Sequence, residues 1–128
     1  MDEATFKRRT KQLGLDVIRL VAQMPRDTAS QVIGRQIVRS ATSVGANYRA
    51  ACRGKSVADV VAKLGIVEEE CDETGYWLEL IVESGALPPH AVAPTADEAH
   101  QILAMTVASI KTLRSRSIQN PKSKIQNG

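Results

Sequence analysis

Apolar residues recur every three or four positions through four stretches of the chain, which is the spacing of a helix with one buried face. The stretches are residues 4–24, 28–53, 57–84 and 96–117. None of them shows the strict alternation of apolar and polar residues that is typical of strands. The pattern predicts an all-α protein. Because four helices with short connections pack most simply as neighbours, we expect an antiparallel up-down four-helix bundle.

Prolines, glycines and capping residues mark the predicted ends of the first two helices. Pro25 ends the first helix, because proline cannot donate the backbone hydrogen bond. Asp27 or Thr28 is placed to cap the second helix. Gly54 follows that helix and is expected to end it in the left-handed conformation, which glycine adopts at little cost.

Two candidate capping boxes mark the starts of the last two helices. The first spans Ser56 to Asp59 and opens the third helix. The third helix is predicted to end at Gly85, with residues 90–94 forming a loop. The second box, Thr95 to Glu98, then opens the fourth helix. The bundle domain is therefore predicted over residues 1–118, and the polar segment 119–128 is predicted to be a disordered tail.

The middle of the predicted second helix, around Gly45, consists of small residues. A glycine inside a helix costs roughly 1 kcal/mol relative to alanine, and close approach of another helix would offset that cost. Asn47 lies beside this segment. We expect its side chain to hydrogen-bond a backbone group, and a ligand or partner contact is the alternative.

Composition places the protein among small cytoplasmic proteins without a membrane segment. The chain has 128 residues, of which 43% are hydrophobic and only 3% aromatic. It contains no run of about 20 apolar residues that could span a bilayer. Its two cysteines are too few to staple a secreted domain, so we expect both thiols to be reduced and buried.

Charge is strongly segregated along the sequence. Residues 1–55 carry eleven Lys and Arg against four acidic residues, whereas residues 56–100 carry one lysine against ten acidic residues. Residues 101–128 carry five basic residues and no acidic ones. The basic segments could pair with the acidic third helix, or they could form a surface for a polyanion.

The second helix carries a stripe of arginines at steps of three and four residues. With the following lysine, this candidate nucleic-acid-binding set consists of Arg35, Arg39, Arg49, Arg53 and Lys55. At 1.5 Å per residue the set spans roughly 30 Å, enough to follow several phosphates along a strand. Aromatic partners are scarce, so the predicted binding depends on phosphates and has little sequence specificity. Pairing of these arginines with the acidic third helix is the alternative.

Nothing in the sequence indicates an active site. His90 and His100 are expected to be solvated, and the acidic residues 68–73 lack the Glu-x-x-His motif of di-metal bundles. The sequence therefore predicts no enzyme, metal site or cofactor. The third helix has an unusually wide apolar surface, and we expect Ile66, Trp77 and Leu80 to lie at a contact between copies of the chain.

Several segments together resemble a known bacterial family. They are Ser43-Val-Gly-Ala-Asn-Tyr-Arg49, Lys63-Leu-Gly-Ile66, Glu68-Glu-Glu-Cys-Asp-Glu-Thr74 and Tyr76-Trp-Leu-Glu-Leu80. They are similar to the four-helix-bundle proteins of 23S ribosomal RNA intervening sequences, also called the S23 ribosomal protein family. The resemblance runs from about Leu15 to Leu113.

The resemblance implies a bundle that assembles as a ring-shaped homopentamer. It also implies kinship with the accessory variability determinant of diversity-generating retroelements, which binds nucleic acid and a reverse transcriptase. The expected function is a non-enzymatic scaffold with RNA or DNA, and a reverse transcriptase or another protein, as partners. The alternative is a protein–protein assembly module that does not bind nucleic acid.

Overall fold

The computed structural model describes residues 2–119, which form four α-helices. They are α1 (Glu3–Ala22), α2 (Thr28–Cys52), α3 (Val57–Glu83) and α4 (Pro89–Gln119). Each helix packs against the next and α4 closes against α1, so the predicted four-helix bundle is confirmed. The predicted tail, residues 119–128, lies outside the described residues except for Gln119, the last residue of α4. No helix within residues 2–119 is long and apolar enough to cross a membrane.

Side-chain caps begin the first three helices. The Thr5 amide donates to Asp2 at 2.7 Å, and the Ser30 amide donates to Asp27 at 3.0 Å. Asp27, rather than Thr28, is therefore the cap of α2. Ser56 accepts a hydrogen bond from the Asp59 amide at 2.9 Å, which confirms the predicted capping box of α3. The Asp59 carboxylate reaches back to the Lys55 amide at 3.0 Å.

The core is a continuous set of apolar side chains along the bundle axis. Leu13, Ile37, Ile81 and Ile102 are fully buried, one from each helix. The helices α1 and α2 come close where a methyl group added to Gly45 would lie 3.4 Å from the Thr10 carbonyl oxygen. The predicted reason for this glycine, close approach of another helix, is therefore confirmed.

The predicted role of Gly54 is wrong. Among the described glycines only Gly85 has a positive φ, of 80°, so Gly54 does not adopt the left-handed conformation. A β-carbon at position 54 would lie 2.3 Å from the Val60 Cγ2 atom and 3.0 Å from the Ala51 carbonyl oxygen. Glycine is needed here because the α2–α3 connection folds tightly against the start of α3.

Replacing Gly54 with alanine is therefore expected to lower the free energy of unfolding by about 1–3 kcal/mol, the usual cost of overpacking. Urea unfolding followed by circular dichroism measures this loss. Gly14→Ala is the matched control, since its added methyl group would lie 3.6 Å from the Thr42 Cα atom, an ordinary contact. Equal stability of Gly54→Ala and wild type would contradict the steric argument.

The predicted loop at residues 90–94 is also wrong, because α4 begins at Pro89 and continues through Pro94. Proline is well suited to the first helical position, where its amide would have no helical partner. Val92 and Thr95 are buried at helical spacing with Ala99. Burial of an apolar side chain is worth about 1.5–3 kcal/mol, which offsets the bond that Pro94 cannot donate. Thr95 therefore lies inside α4 and is not its cap.

Gly85 ends α3 as predicted, through a Schellman motif. The Gly85 amide donates to the Val82 carbonyl at 3.0 Å, and the Ala86 amide donates to the Ile81 carbonyl at 3.1 Å. The positive φ of Gly85 makes both hydrogen bonds possible. The chain then turns through the buried Leu87 into α4.

A bidentate ion pair joins α1 to α4. Arg9 contacts the two Glu98 carboxylate oxygens at 2.9 and 2.6 Å, and Gln101 accepts a further hydrogen bond at 2.9 Å. Both charged side chains are largely shielded from solvent. The hydrogen bonds from Arg9 hold the pKa of Glu98 below its ordinary value of 4.5.

This ion pair predicts a pH-dependent contribution to stability. Glu98→Gln is expected to lower the free energy of unfolding by about 1 kcal/mol at pH 7. Because folding lowers the Glu98 pKa, the contribution is fully present above pH 4.5 and disappears as the pH falls through the lowered value. Urea unfolding between pH 2 and 7 measures it, with Asp97→Asn, at an exposed carboxylate of the same helix, as the control. A Glu98→Gln defect that does not depend on pH would contradict this account.

Candidate nucleic-acid interface

The structure divides the predicted arginine stripe of α2 into three parts. Arg39 turns toward α3, where it pairs with Glu70 at 2.9 Å and with Glu73. The Trp77 indole N–H donates to Glu73 at 3.0 Å, and this bond together with Arg39 lowers the Glu73 pKa. Pairing with the acidic third helix, the alternative considered for the whole stripe, therefore applies to Arg39.

Arg35 is separated from the other end of the stripe. It is exposed and precedes Arg53 by eighteen residues of α2, a distance of about 27 Å. The remaining three members, Arg49, Arg53 and Lys55, lie at the carboxyl end of α2 and just beyond it. The structure therefore does not present the five predicted residues as one continuous surface.

A different set of basic residues comes together at one end of the bundle. Because neighbouring helices are antiparallel, the start of α1, the end of α2, the start of α3 and the end of α4 meet there. Residues 2–11, 46–66 and 102–119 carry eleven Lys and Arg against only three acidic residues. We call this part of the molecule the basic end.

Most of these charges are available to a ligand. Within the basic end, Lys7 pairs with Glu3 at 3.2 Å and Lys63 pairs with Asp59 at 2.8 Å. Arg9 pairs with Glu98, and the exposed Arg8 donates to the Thr5 hydroxyl at 3.2 Å. Seven further basic side chains are exposed and make neither an ion pair nor a side-chain hydrogen bond among residues 2–119. They are Lys11, Arg49, Arg53, Lys55, Lys111, Arg114 and Arg116.

Four of these seven residues were missed by the sequence analysis, namely Lys11, Lys111, Arg114 and Arg116. They lie in segments far from the α2 stripe along the chain. The signal that could have revealed them was the excess of positive charge in residues 101–128. An up-down topology places the end of the fourth helix beside the end of the second, so the two charge excesses should have been combined.

A cavity of about 670 Å³ opens at the basic end, between α1, α2, α3 and α4. Phe6, Tyr48, Leu64 and Leu113 contribute apolar surface to its walls, and Arg116 lines it as well. The rings of Phe6 and Tyr48 pack with centroids 4.5 Å apart. The cavity therefore lies within the most positively charged region of the bundle.

Asn47, at the edge of this region, is half-buried. Its amide nitrogen donates to the Ser43 carbonyl of the same helix at 2.9 Å. The expected backbone hydrogen bond is therefore confirmed, and it is made within α2. Of the two cysteines, Cys71 is buried as expected, whereas Cys52 is half-buried and lines the cavity.

The predicted subunit-contact residues of α3 differ in exposure. Ile66 is exposed, whereas Trp77 and Leu80 are half-buried. Tyr76, which the sequence analysis did not select, is 52% exposed and packs edge-on against Trp77. The outer surface of α3 therefore combines Ile66 and Tyr76 with acidic residues, and we call it the α3 surface. Its acidic members are Glu69, Asp72 and Glu79.

A second apolar surface lies on the diagonally opposite helix. Leu15 and Ile18 of α1 are exposed beside a groove of about 400 Å³ between α1 and α2. Lys7, Lys11 and Arg49 line the same groove, so its charge is opposite to that of the α3 surface. We call this region the α1 surface.

Metal-ligating side chains do not cluster in the described part of the chain. Within residues 2–119 there is no group of three His, Cys, Asp or Glu side chains that could hold a metal ion. His90 and His100 are both exposed near the start of α4, away from the basic end.

Comparison with known proteins identifies a family and a similar crystal structure. The model of the 23S rRNA-intervening sequence protein family matches residues 3–108. A crystal structure of a protein of unknown function from the S23 ribosomal protein family of Bacteroides thetaiotaomicron is similar, with a TM-score of 0.80 and 29% identity. That match covers 87% of this chain and 99% of the other. No curated protein matches the chain.

Proposed function

The chain belongs to the family of 23S rRNA-intervening sequence proteins, and we propose that it is a non-enzymatic cytoplasmic scaffold that forms homo-oligomers and binds nucleic acid through its basic end. The observation that supports binding is the convergence of seven exposed basic side chains from α1, α2, α4 and the α2–α3 connection. Three of them, Lys111, Arg114 and Arg116, follow the region that matches the family model.

The chemistry of the basic end favours contacts with phosphates. Its exposed groups are Lys and Arg, which bind phosphate oxygens as point charges or as planar forks. Such contacts fix the position of a nucleic acid and carry little sequence information. Binding should therefore be similar for unrelated sequences and should weaken steeply with salt, because each phosphate contact releases condensed counterions.

The homo-oligomer is supported by the complementarity of the α1 and α3 surfaces. Each combines exposed apolar side chains with charge, positive on the α1 surface and negative on the α3 surface. The two helices are diagonal in the bundle, so one copy can offer its α3 surface to the α1 surface of the next. A contact between two different surfaces is called heterologous. Repeated from copy to copy, it forms a closed ring when the rotations between neighbouring copies add up to a full turn. The homopentamer implied by the resemblance would use this arrangement.

Two glycines of α3 favour the same contact. A β-carbon added to Gly65 or Gly75 would meet nothing within 4 Å in the isolated subunit. Each glycine inside a helix costs about 1 kcal/mol relative to alanine, and packing within the subunit does not offset that cost. Close approach of a second copy would explain why glycine occupies both positions.

Cyclic assembly would also strengthen binding. In a ring every copy points the same way along the symmetry axis, so the basic ends occupy equivalent positions. Several weak phosphate-binding surfaces linked in this way bind a long nucleic acid more tightly than one surface does. A partner enzyme such as a reverse transcriptase could be recruited to the same assembly, as the resemblance implies.

Binding to unrelated single-stranded and duplex oligonucleotides tests the proposal directly. At about 50 mM salt we expect binding to every sequence, with a loss of several orders of magnitude by about 200 mM if six or more phosphates are contacted. Fluorescence anisotropy across this range gives the salt slope. No binding at the lowest salt would overturn the nucleic-acid role and favour the alternative, an assembly module in which the complementary surfaces serve only subunit pairing.

A further inference from the structure

The cavity of the basic end exists because α1 is too short to cover α4. The Arg9 side chain of α1 contacts α4 from Glu98 to Met105, and Met105, whose sulfur is 3.7 Å from the Arg9 Nη1 atom, is the contact nearest the basic end. Beyond this level α1 continues for only six residues, about 9 Å, whereas α4 continues for fourteen, about 21 Å. The space that further turns of α1 would occupy is left open between α2 and α4.

The walls of this cavity are mainly apolar, with polar groups among them. Phe6, Leu64 and Leu113 provide apolar surface, and Ser109, Thr112 and Arg116 of α4 provide hydroxyl groups and a positive charge. A volume of about 670 Å³ falls within the range of about 300–1,000 Å³ that is common for small-molecule sites. The cavity is open to solvent on one side, so a flat group can enter without unfolding the bundle.

Tyr48, Cys52 and Glu3 place polar groups in one part of the cavity wall. The Tyr48 hydroxyl lies near the Cys52 thiol, and the thiol lies near the Glu3 carboxylate. Burial raises the pKa of both Tyr48 and Cys52, so these groups stay neutral at pH 7. Glu3 is the negatively charged group of this part of the wall and is paired with Lys7 at 3.2 Å, whereas Arg116 lines the cavity without a carboxylate partner among residues 2–119.

We propose that this cavity accepts an unpaired nucleobase from a single strand whose phosphates lie on the surrounding basic end. This inference rests on the proposed nucleic-acid binding and specifies its substrate class. A nucleotide joins a flat, largely apolar ring to an anion. The cavity offers the complementary arrangement, an apolar space bordered by Arg116 and surrounded by the exposed cations of α2 and α4.

The proposal predicts a higher affinity for single strands than for duplexes. A base in a duplex is stacked and paired, and extruding it costs a few kcal/mol, whereas a base in a single strand is already accessible. Hydroxyl groups such as those of Ser109 and Thr112 both donate and accept hydrogen bonds. The cavity should therefore tolerate different bases, and the preference concerns strandedness rather than sequence.

Three ligands of equal length test the inference separately from the function on which it rests. They are a single strand, the same backbone with abasic sites at every position, and the duplex. We expect the single strand to bind at least about fivefold more tightly than the abasic strand, the lower end of what one base contact contributes. Equal affinity for the two strands would overturn the base-binding cavity and leave the basic end intact. No binding of any ligand would overturn the proposed function itself.

A cavity-filling variant locates the base. Ser109→Trp places a large ring in the opening, and Ser115→Trp places the same ring elsewhere on the exposed surface of α4, outside the cavity lining. With Ser109→Trp, the affinity for the single strand should fall to that for the abasic strand. Ser115→Trp should behave as wild type, and circular dichroism verifies that both variants fold.

A fluorescent base provides a readout that does not depend on affinity. The emission of 2-aminopurine in the single strand should change when wild type or Ser115→Trp binds, because the base leaves water and its stacked neighbours. It should not change with Ser109→Trp at saturating protein. An emission change of the same size for Ser109→Trp, or none for wild type at saturation, would place the base outside the cavity and overturn the inference.

Discussion

The double variant Arg53→Glu/Arg114→Glu is expected to lose most of its affinity for every oligonucleotide. Arg53 follows the end of α2 and Arg114 lies near the end of α4, so the two reach the same end of the bundle only because neighbouring helices are antiparallel. Removing two phosphate contacts should reduce the slope of log K against log salt by about two and weaken binding on the order of 10- to 100-fold at 50 mM salt. The added carboxylates repel phosphates as well. Fluorescence anisotropy at several salt concentrations measures both quantities.

Arg26→Glu/Arg35→Glu is the matched control. It makes the same change in net charge at exposed positions toward the opposite end of the bundle. We expect it to retain nearly all affinity, since long-range charge effects are screened within about 10 Å at 0.1 M salt. This control also separates the basic end from the α2 stripe predicted from the sequence, because Arg35 belongs only to the stripe. Equal losses in the two double variants would show that net charge, rather than the basic end, controls binding.

The helices and their caps could be predicted because their causes are local. The spacing of Leu13, Val17 and Leu20, or of Leu64, Val67 and Cys71, defines a helix face within a few residues. The Ser56 cap depends on an amide three residues away. The two errors arose where tertiary packing outweighs local preference. Burial of Val92 extends α4 across Pro94, and the tight turn against Val60 selects Gly54 for space rather than for backbone conformation.

The basic end was harder to predict from the sequence, because it combines residues from distant segments that only the packing of the helices brings together. The spacing of the arginines in α2 is visible in the sequence, but which of them meets a carboxylate depends on how far the helix is rotated toward α3. That rotation directs Arg39 to Glu70 and Glu73 and leaves Arg53 exposed. The cavity depends on a difference in length between α1 and α4, and the predicted loop at residues 90–94 concealed the true length of α4.

Charge and apolar exposure together divide the surface into regions with different roles. Arg49 lines the groove of the α1 surface and also belongs to the basic end, so it should influence both assembly and binding. Arg53 and Arg114 do not line that groove, and Leu15 and Ile18 carry no charge. Variants at Arg53 and Arg114 should therefore weaken binding and leave assembly unchanged, whereas variants at Leu15 and Ile18 should prevent assembly and change binding only through the loss of multivalency.

Ile66→Glu/Tyr76→Glu is expected to convert the oligomer to monomers. Both residues are exposed on α3 in the isolated subunit, at 42% and 52%. Burying a carboxylate in place of an apolar side chain costs more in desolvation than an ion pair with the α1 surface returns, and the variant places two carboxylates in each contact. Size-exclusion chromatography with light scattering measures the mass. Val32→Glu, at an exposed apolar residue of α2 outside both surfaces, should keep the wild-type mass. An unchanged mass for the α3 variant would rule out the α3 surface as a subunit contact.

Mixing two assembly variants would show whether the contact is heterologous. Leu15→Glu/Ile18→Glu disables the α1 surface and keeps the α3 surface, whereas Ile66→Glu/Tyr76→Glu does the reverse. Each should be monomeric alone, and an equimolar mixture should form a 1:1 heterodimer, because one intact α3 surface can then meet one intact α1 surface. The heterodimer cannot grow, since its outer surfaces are the disabled ones. If each surface instead paired with its own copy, each variant alone would still form dimers through its intact surface, and mixing would produce no new species.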